Sequence, residues 1–326
     1  GYELRNLRVT GLARGFSGEN IRHNLKTLNN LVNANHDARK VIDEFKPDCV
    51  IGTGGYICYP VIRAAAKKGI VTVLHESNAE PGLAVKLLSG MATRILVAYP
   101  GVENRYNKPG RVIYTGTPIK GDFVDITRAE AKKRIGVDPE EMLVASFWGS
   151  LGADEMNRRM AEFIALNEHS GAFRHIHATG GNEQGMEKML SRLTKYGITE
   201  LKSTDLRPYI NDMGTVMMAA DLIISRAGGS TLAEITNTGT AAILVPSPNV
   251  TANQQEKNAL ELEKQGAAIM IRESECTGES LYNAAVGLLE DKKQLDSLEK
   301  ASLRLGKPRA REKIAEIILS LLEKRQ

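Results

Sequence analysis

The stretch Asp221-Leu-Ile-Ile-Ser-Arg-Ala-Gly-Gly-Ser-Thr-Leu-Ala-Glu-Ile-Thr-Asn-Thr238 combines a short apolar run, a glycine-rich turn and a helical pattern. Residues 221–225 are predicted as a strand and residues 231–238 as a helix, and Ala242–Val245 follows as the next strand. Because the apolar run has no alternation with polar residues, the strand is predicted to be buried on both faces, as in parallel sheets. The stretch therefore predicts a strand–helix–strand unit of an α/β fold.

The same alternation extends in both directions along the chain. Strands are predicted at residues 48–51, 70–74, 94–98, 112–114 and 142–148, and helices at residues 61–68, 83–89, 154–167 and 312–325. The pattern restarts after residues 117–122. We therefore predict two Rossmann-like, doubly wound parallel-sheet domains facing a cleft, over residues 1–118 and 119–306. Residues 307–326 are predicted as a C-terminal helix that packs back toward the first domain.

Composition narrows the class of protein. The chain has 326 residues, of which 42% are apolar and 25% charged, so general disorder is excluded. A net charge of +4 is too small to indicate nucleic-acid binding by itself. The three cysteines, Cys49, Cys58 and Cys276, are interpreted as reduced thiols of a cytoplasmic protein. No apolar stretch of about 18 residues suggests a membrane span, and residues 1–20 do not resemble a signal peptide.

Three glycine-bearing loops follow predicted strands. They are Gly52-Thr-Gly-Gly55, Gly149-Ser-Leu-Gly-Ala153 and Ala227-Gly-Gly-Ser-Thr231. Ligands of open α/β sheets lie beyond the carboxyl ends of the strands, where helix N-termini offer free N–H groups to phosphate oxygens. None of the loops matches a Walker A motif or a complete dinucleotide fingerprint. Together they indicate a phosphate-containing ligand rather than an ATPase or a dehydrogenase.

The third loop and the segment after it suggest how such a ligand is recognised. Thr231 and Glu234 lie three residues apart on one face of a helix start, where the carboxylate can accept hydrogen bonds from a ribose diol. The paired amides of Gln254 and Gln255 suit neutral hydroxyls, because each amide both donates and accepts. His175 and His177 are interpreted as ordinary strand histidines. No Asp-x-Asp motif follows a predicted strand, so neither a metal nor another cofactor is predicted.

The chain resembles the MurG family in motifs that occur in matching order over essentially its whole length. These motifs are Gly54-Gly55-Tyr56-Ile-Cys58, His75-Glu-Ser-Asn78, Gly116-Thr-Pro118, Ser225 to Glu234, and the Gln254-Gln255 loop. The family transfers GlcNAc from UDP-GlcNAc to the C4 hydroxyl of MurNAc in lipid I (undecaprenyl-diphospho-MurNAc-pentapeptide) and makes lipid II for peptidoglycan. The resemblance implies a GT-B fold, an inverting reaction without an active-site metal, and a peripheral place at the cytoplasmic membrane face.

The resemblance also implies a donor-binding role for one set of residues. Glu234 would bind the ribose, Gly229–Thr231 and Ser150 the diphosphate, and backbone groups of Ile210 the uracil. Gln255, with Gln254, would recognise the GlcNAc hydroxyls. The full set is Lys120, Ser150, Ile210, Gly229, Ser230, Thr231, Leu232, Ala233, Glu234, Gln254 and Gln255.

A second set is implied for catalysis: Glu76, Asn78, Tyr56 and Asn157. Glu76 and Asn78 would face the sugar and the acceptor, while Tyr56 and Asn157 would line the cleft. Glu76 is the best carboxylate for a general base at the attacking hydroxyl. The first domain would then serve the acceptor and the membrane, and the second domain the UDP-sugar.

Three departures from the family pattern accompany the resemblance. Trp148 stands where the family favours glycine and is expected to crowd the site, Lys120 replaces an arginine expected near uracil, and Ser77 replaces a glutamine. We also expect an N-terminally truncated chain, because the family's Gly-Gly-Thr-Gly-Gly-His loop would precede residue 1. Two alternatives follow: a donor-binding module that is inactive alone, and a UDP-sugar:diacylglycerol glycosyltransferase.

An apolar stripe near the start of the chain is a candidate for membrane contact. Ile21, Leu25, Leu28 and Val32 recur at helical spacing. Arg14, Arg22, His23 and Lys26 lie close to them in the sequence. Such a helix can lie on an anionic bilayer, although the same stripe would also suit packing on a sheet.

Overall fold

The computed structural model describes residues 3–7, 33–120, 126–149, 152–181 and 183–324. The chain divides into two compact units. The first comprises Gly1–Thr117 and Arg309–Gln326, and the second comprises Pro118–Pro308. In each unit parallel strands alternate with helices, so the α/β class predicted from the sequence is confirmed.

The first unit is built on a four-stranded parallel sheet in the order β1-β2-β3-β4. Its strands are β1 (Cys49–Gly52), β2 (Val71–Glu76), β3 (Arg94–Val97) and β4 (Val112–Tyr114), and its helices are α1 (residues 33–45), α2 (Cys58–Lys67) and α3 (Leu83–Leu88). All six residues of β2 are buried, as the absence of alternation predicts. This strand ends at Glu76, at the carboxyl edge of the sheet, where ligands of α/β folds bind.

A C-terminal helix, α12 (Ala310–Glu323), also belongs to the first unit. Its apolar stripe packs against Val71, Val73 and Leu96 of the sheet. The stripe consists of Ile314, Ile317, Ile318, Leu321 and Leu322. The amphipathic spacing seen in the sequence therefore serves to cover one face of this sheet.

The second unit contains a six-stranded parallel sheet in the order β10-β9-β8-β5-β6-β7. Its strands are β5 (Leu143–Phe147), β6 (Arg174–Ala178), β7 (Thr204–Arg207), β8 (Leu222–Ser225), β9 (Ala241–Leu244) and β10 (Ile269–Met270). Its helices are α4 (Arg128–Arg134), α5 (Asp154–Ser170), α6 (Glu183–Lys195), α7 (Met213–Ala219), α8 (Gly229–Thr238), α9 (Gln254–Lys264), α10 (Gly278–Glu290) and α11 (Lys292–Leu305).

The strand order of the second unit reverses between β5 and β8. From β5 the chain first adds β6 and β7 on one side, and then β8, β9 and β10 on the other. Loops that follow β5 and β8 therefore diverge and leave a crevice at the carboxyl edge, the usual ligand position in such sheets. Two of the predicted glycine loops, after residues 148 and 226, lie at this point.

Asp221 directly precedes β8. Its side chain is 7% exposed. One carboxylate oxygen, Oδ2, accepts a hydrogen bond from the backbone N–H of Leu143 at 2.7 Å and pairs with Lys132 Nζ at 2.8 Å. The buried carboxylate thus joins the amino ends of β8 and β5, and its charge is compensated as burial requires.

Most predicted elements are present, with boundaries shifted by a few residues. Helix α2 begins at Cys58 rather than at residue 61, and α8 begins at Gly229 rather than at Thr231. In α8 the two extra residues are a glycine and a serine, which the sequence pattern assigns to the turn although both fit a first helical turn. The glycine loop therefore contributes to the helix start itself.

Some predictions concern parts of the chain outside the described residues. The apolar stripe at residues 21–32, its basic neighbours and Ser150 belong to this group. Among the helices that the structure describes, none combines the length and the apolar character needed to cross a membrane.

Candidate functional site

A cavity of about 240 Å³ opens at the carboxyl edge of the second unit's sheet. It is lined by residues that follow β5, β6 and β7 and by the first turns of α8. The side chains with polar groups in this lining are Lys120, Tyr209, Asn211, Ser230, Thr231 and Glu234. The cavity lies where the reversal of strand order predicts a ligand. Five members of the predicted donor set, namely Lys120, Ile210, Ser230, Thr231 and Glu234, are brought together there.

The start of α8 suits an anionic ligand. Its N-cap is Gly228, in an extended conformation (φ −72°, ψ 141°), and no side chain caps the first turn. The first N–H groups of a helix lack partners within the helix and carry partial positive charge. Ser230 and Thr231 of this turn line the cavity, so phosphate oxygens placed there can accept hydrogen bonds from both backbone and hydroxyl groups.

Two glycines shape the opposite wall. Gly149, which lines the cavity, has φ +83° and would present a Cβ to open space. Gly152 has φ +70°, and a Cβ there would collide with the backbone of Thr179. Glycine adopts such left-handed conformations with little strain, so both positions favour glycine.

Glu234 is the one carboxylate in the described lining of the cavity. Its side chain is half-buried, and burial raises its pKa above the ordinary range, while the nearby Lys120 ammonium acts in the opposite direction. A partly desolvated carboxylate beside a cation is a strong acceptor for hydroxyl donors. Its contact with a ribose diol stays a prediction.

Ile210 contributes to the cavity in another way. The residue follows β7 and lines the cavity, although its side chain is only 1% exposed. The residue as a whole is thus almost fully buried, and a uracil contact through its backbone stays a prediction. Leu232 is likewise 1% exposed, so its side chain belongs to the core, and Ala233 is half-buried.

Gln254 and Gln255, at the start of α9, are half-buried and lie outside the described lining of this cavity. The Gln255 Oε1 atom accepts a hydrogen bond from the backbone N–H of Ser247 at 2.8 Å. The loop between Ser247 and Gln255 contains Ala252 and Asn253, with φ of 54° and 53°. Gln255 thus holds the loop after β9 with its oxygen, and its contact with a sugar hydroxyl stays a prediction.

Asn157 lies in the first turn of α5 and is 4% exposed. Its Nδ2 atom donates to the carbonyl oxygen of Thr179 at 2.7 Å. Because Gly180 lines the cavity, this bond fixes a segment of the wall from behind. The buried position favours a positioning role for Asn157 over direct lining of a cleft.

Two of the predicted catalytic residues of the first unit, Glu76 and Asn78, lie at the carboxyl end of β2. Glu76 is 4% exposed. Its Oε1 atom accepts from the backbone N–H and the side-chain Nδ2 of Asn78, at 3.0 and 2.8 Å, and its Oε2 atom accepts from the N–H of Gly82 at 2.9 Å. These contacts favour a role in fixing the loop over proton transfer. Tyr56, before α2, is 57% exposed.

The side chain of Trp148 turns away from the cavity. Phe147 and Gly149 are in the lining, whereas Trp148 is 4% exposed and packs in the apolar core of the second unit. The crowding expected from the sequence is therefore not found at this cavity, because the indole is directed into the core.

One part of the wall was not predicted from the sequence. Ala178 and Gly180 line the cavity after β6. A sequence feature could have indicated this wall, because Gly180-Gly181 follows the strand that contains His175 and His177.

These two histidines are buried and flank Ser146. Among the described residues no group of three or more His, Cys, Asp or Glu could hold a metal ion.

Comparisons with known proteins agree with this geometry. The model of the glycosyltransferase family 28 C-terminal domain matches residues 144–316, and that of the N-terminal domain matches residues 1–97. The matched regions include the residues after β2 and every residue of the described cavity lining except Lys120.

Two relatives carry the same name, UDP-N-acetylglucosamine–N-acetylmuramyl-(pentapeptide) pyrophosphoryl-undecaprenol N-acetylglucosamine transferase. The protein of Acetivibrio thermocellus is 36% identical over 323 residues, covering 99% of this chain and 85% of its own length. That of a Thermoanaerobacter species is 38% identical over 321 residues, covering 98% of this chain and 86% of its own length.

Solved structures show the same fold. MurG of Acinetobacter baumannii superposes with a TM-score of 0.70 at 26% identity, covering 89% of this chain and 80% of that one. A putative UDP-N-acetylglucosamine 2-epimerase of Listeria monocytogenes, at 15% identity and a TM-score of 0.68, covers 97% of this chain and 83% of its own, and shares the fold alone. The predicted GT-B fold is thereby confirmed, and the chain belongs to the MurG family within glycosyltransferase family 28.

Proposed function

We propose that this protein transfers GlcNAc from UDP-GlcNAc to the C4 hydroxyl of MurNAc in lipid I and so makes lipid II. The observation that carries the proposal is the cavity at the switch point of the second unit, where Glu234 and the uncapped start of α8 lie together. Relatives at 36% and 38% identity are named for this transfer, which supports the choice of substrates.

The donor would be held along the carboxyl edge of the second unit. We assign uracil to the backbone at Ile210, the ribose diol to Glu234, and the diphosphate to the first turn of α8. The GlcNAc hydroxyls are assigned to Gln255 and Gln254 at the start of α9. This order follows the strand order from β7 through β8 to β9.

The reaction would be a single displacement with inversion. The acceptor hydroxyl forms a bond to the anomeric carbon as the bond from that carbon to the diphosphate oxygen breaks, and the hydroxyl proton passes to solvent water. Negative charge develops on UDP as it leaves. Preorganised N–H groups at the α8 start would stabilise that charge without reorganisation during the reaction.

We assign the acceptor to the first unit. The support is the loop after β2, where Glu76 fixes Asn78 and Gly82 through three hydrogen bonds. In this proposal Glu76 positions the loop, Asn78 and the exposed Tyr56 contact the substrates, and Asn157 positions the wall of the donor cavity.

Transfer of labelled GlcNAc from UDP-GlcNAc to a lipid I analogue tests the function directly. We expect a labelled disaccharide lipid and release of UDP. Binding of UDP-GlcNAc without any transfer would support the alternative of a donor-binding module, and transfer to diacylglycerol in place of lipid I would support the other alternative.

Gln255→Ala should lower the preference for UDP-GlcNAc over UDP-GalNAc by about tenfold or less, the usual effect of one hydrogen bond. The affinity for UDP itself should stay almost unchanged, because Gln255 lies outside the cavity lining. Calorimetric titration with the three ligands measures both effects. Gln265→Ala, an exposed glutamine at the end of the same helix, is the matched control. An equal loss for UDP would show that the Gln255 bond to Ser247 is its whole role.

Peripheral binding to the cytoplasmic membrane is part of the proposal, and the basic residues near the apolar stripe at residues 21–32 are its candidate contact. Each basic side chain near an anionic surface contributes on the order of 1 kcal/mol, reduced by salt. We expect co-sedimentation with anionic vesicles at low salt, and little with neutral vesicles or at high salt. Arg22→Glu combined with Lys26→Glu should remove the anionic preference and leave UDP binding intact. Equal binding in all four conditions would reject this segment.

A further inference from the structure

Trp148 is the only tryptophan in the sequence, and it occupies an unusual position beside the donor cavity. It directly follows β5 and directly precedes Gly149, which lines the cavity. The indole is 4% exposed and packs within the core of the second unit. A residue so placed is in contact with the core on one side and continuous with the cavity wall on the other.

The guanidinium of Arg226 lies over this indole. Its Cζ atom is 5.9 Å from the ring centroid, within the range of about 6 Å in which a cation is attracted to an aromatic face. The Arg226 side chain is 12% exposed, so water weakens this attraction little. The indole therefore provides a face on which the Arg226 cation rests.

Arg226 is bound to two further loops. Its Nη1 atom donates to the carbonyl oxygen of Val245 at 3.1 Å and pairs with Glu273 Oε2 at 2.5 Å. Val245 follows β9, and Glu273 comes shortly after β10. One cation thus joins the segments that follow β5, β8, β9 and β10.

This junction lies immediately behind the site. Gly149 follows Trp148, and α8 begins at Gly229, three residues after Arg226. The Nδ2 atom of Asn258 donates to the carbonyl oxygen of the intervening Ala227 at 3.2 Å. The stack therefore connects the residue before Gly149 with the segment that leads into α8.

We propose that Trp148 is a positioning residue of the donor site, whose indole face holds Arg226 and thereby sets the distance between the Gly149 loop and the start of α8. This role rests on the proposed function, since the ligand it serves is the UDP part of the donor. The role depends on the aromatic face rather than on bulk alone.

The native chain provides the first test, because its tryptophan fluorescence comes from this single indole. UDP is titrated while binding is followed in parallel by calorimetry. We expect a change in Trp148 emission that saturates with the calorimetric curve. Calorimetric binding with constant emission would overturn the positioning role and leave the proposed function intact. Failure of UDP to bind at all would overturn the proposed function and this role with it.

Two matched variants separate the aromatic face from packing. Trp148→Phe keeps a face for Arg226, whereas Trp148→Leu keeps apolar bulk without one. We expect the phenylalanine variant to bind UDP within about threefold of the native chain and the leucine variant about tenfold more weakly, the scale of one buried cation–aromatic contact. Equal UDP affinities of the two variants, with both melting cooperatively, would show that Trp148 only fills space.

Discussion

Replacing Glu234 by alanine should weaken UDP binding by about 2–3 kcal/mol, roughly 30- to 150-fold, the cost of hydrogen bonds to a charged group. The carboxylate is half-buried in the donor cavity, and burial raises its pKa while Lys120 opposes the shift. Burial has already removed part of the water around the carboxylate. In the bound state the ribose diol would donate hydrogen bonds to it in place of the water that remains. Isothermal titration of UDP into the native and variant chains measures the difference.

A double-mutant cycle identifies the atoms concerned. If Glu234 binds the ribose 2′-hydroxyl, 2′-deoxy-UDP should lose much of its affinity with the native chain and little more with Glu234→Ala, because the two changes remove the same contact. Glu279→Ala, an exposed glutamate on α10, should behave as the native chain does. Strictly additive losses would contradict the ribose assignment.

The fold could be predicted from the sequence because its signals are local. The runs at residues 70–74 and 221–225 show no alternation, and the corresponding strands β2 and β8 are buried at every position. The glycine loops after β5 and β8 mark the crevice for the same reason, since each sits at a strand end. Such patterns need no knowledge of distant contacts.

The parts that could not be predicted depend on where side chains point. The sequence does not reveal that the Trp148 side chain lies in the core. It also does not reveal that both carboxylate oxygens of Glu76 accept hydrogen bonds from the loop that follows it. It also does not reveal that Gln255 bonds Ser247. Each of these contacts joins residues whose approach is set by turns, and a residue type alone does not fix the direction of a side chain.

Acid should destabilise the second unit strongly, because two neutral histidines are buried in its sheet. Ser146 Oγ lies 2.8 Å from His175 Nε2 and 2.7 Å from His177 Nδ1. A hydroxyl has one hydrogen, so it donates to one ring and accepts from the other, and this arrangement suits two neutral imidazoles. The other nitrogens, His175 Nδ1 and His177 Nε2, are buried without a hydrogen-bond partner.

Burial lowers the pKa of His177 to about 3 and that of His175 well below its usual value. Histidines in the unfolded chain titrate near pH 6.5, so the unfolded state binds more protons than the native state below that pH. The stability they confer is complete above about pH 6.5 and is lost progressively as the pH falls toward 3. At pH 5 the free energy of unfolding is lower by about 2 kcal/mol because of His177 alone, at 1.36 kcal/mol per pH unit below 6.5.

Urea unfolding of the full chain between pH 7.5 and 5 should therefore show a steep fall in the free energy of unfolding. His177→Gln removes one titrating group, so its stability should change less over this range, even if its stability at pH 7.5 is lower. His169→Gln, which alters an exposed histidine on α5, should keep the native slope. The same slope in all three chains would contradict the argument.

Ala178 and Gly180 continue β6 into the cavity wall, so UDP binding should fail in the same pH range as the unfolding of this unit.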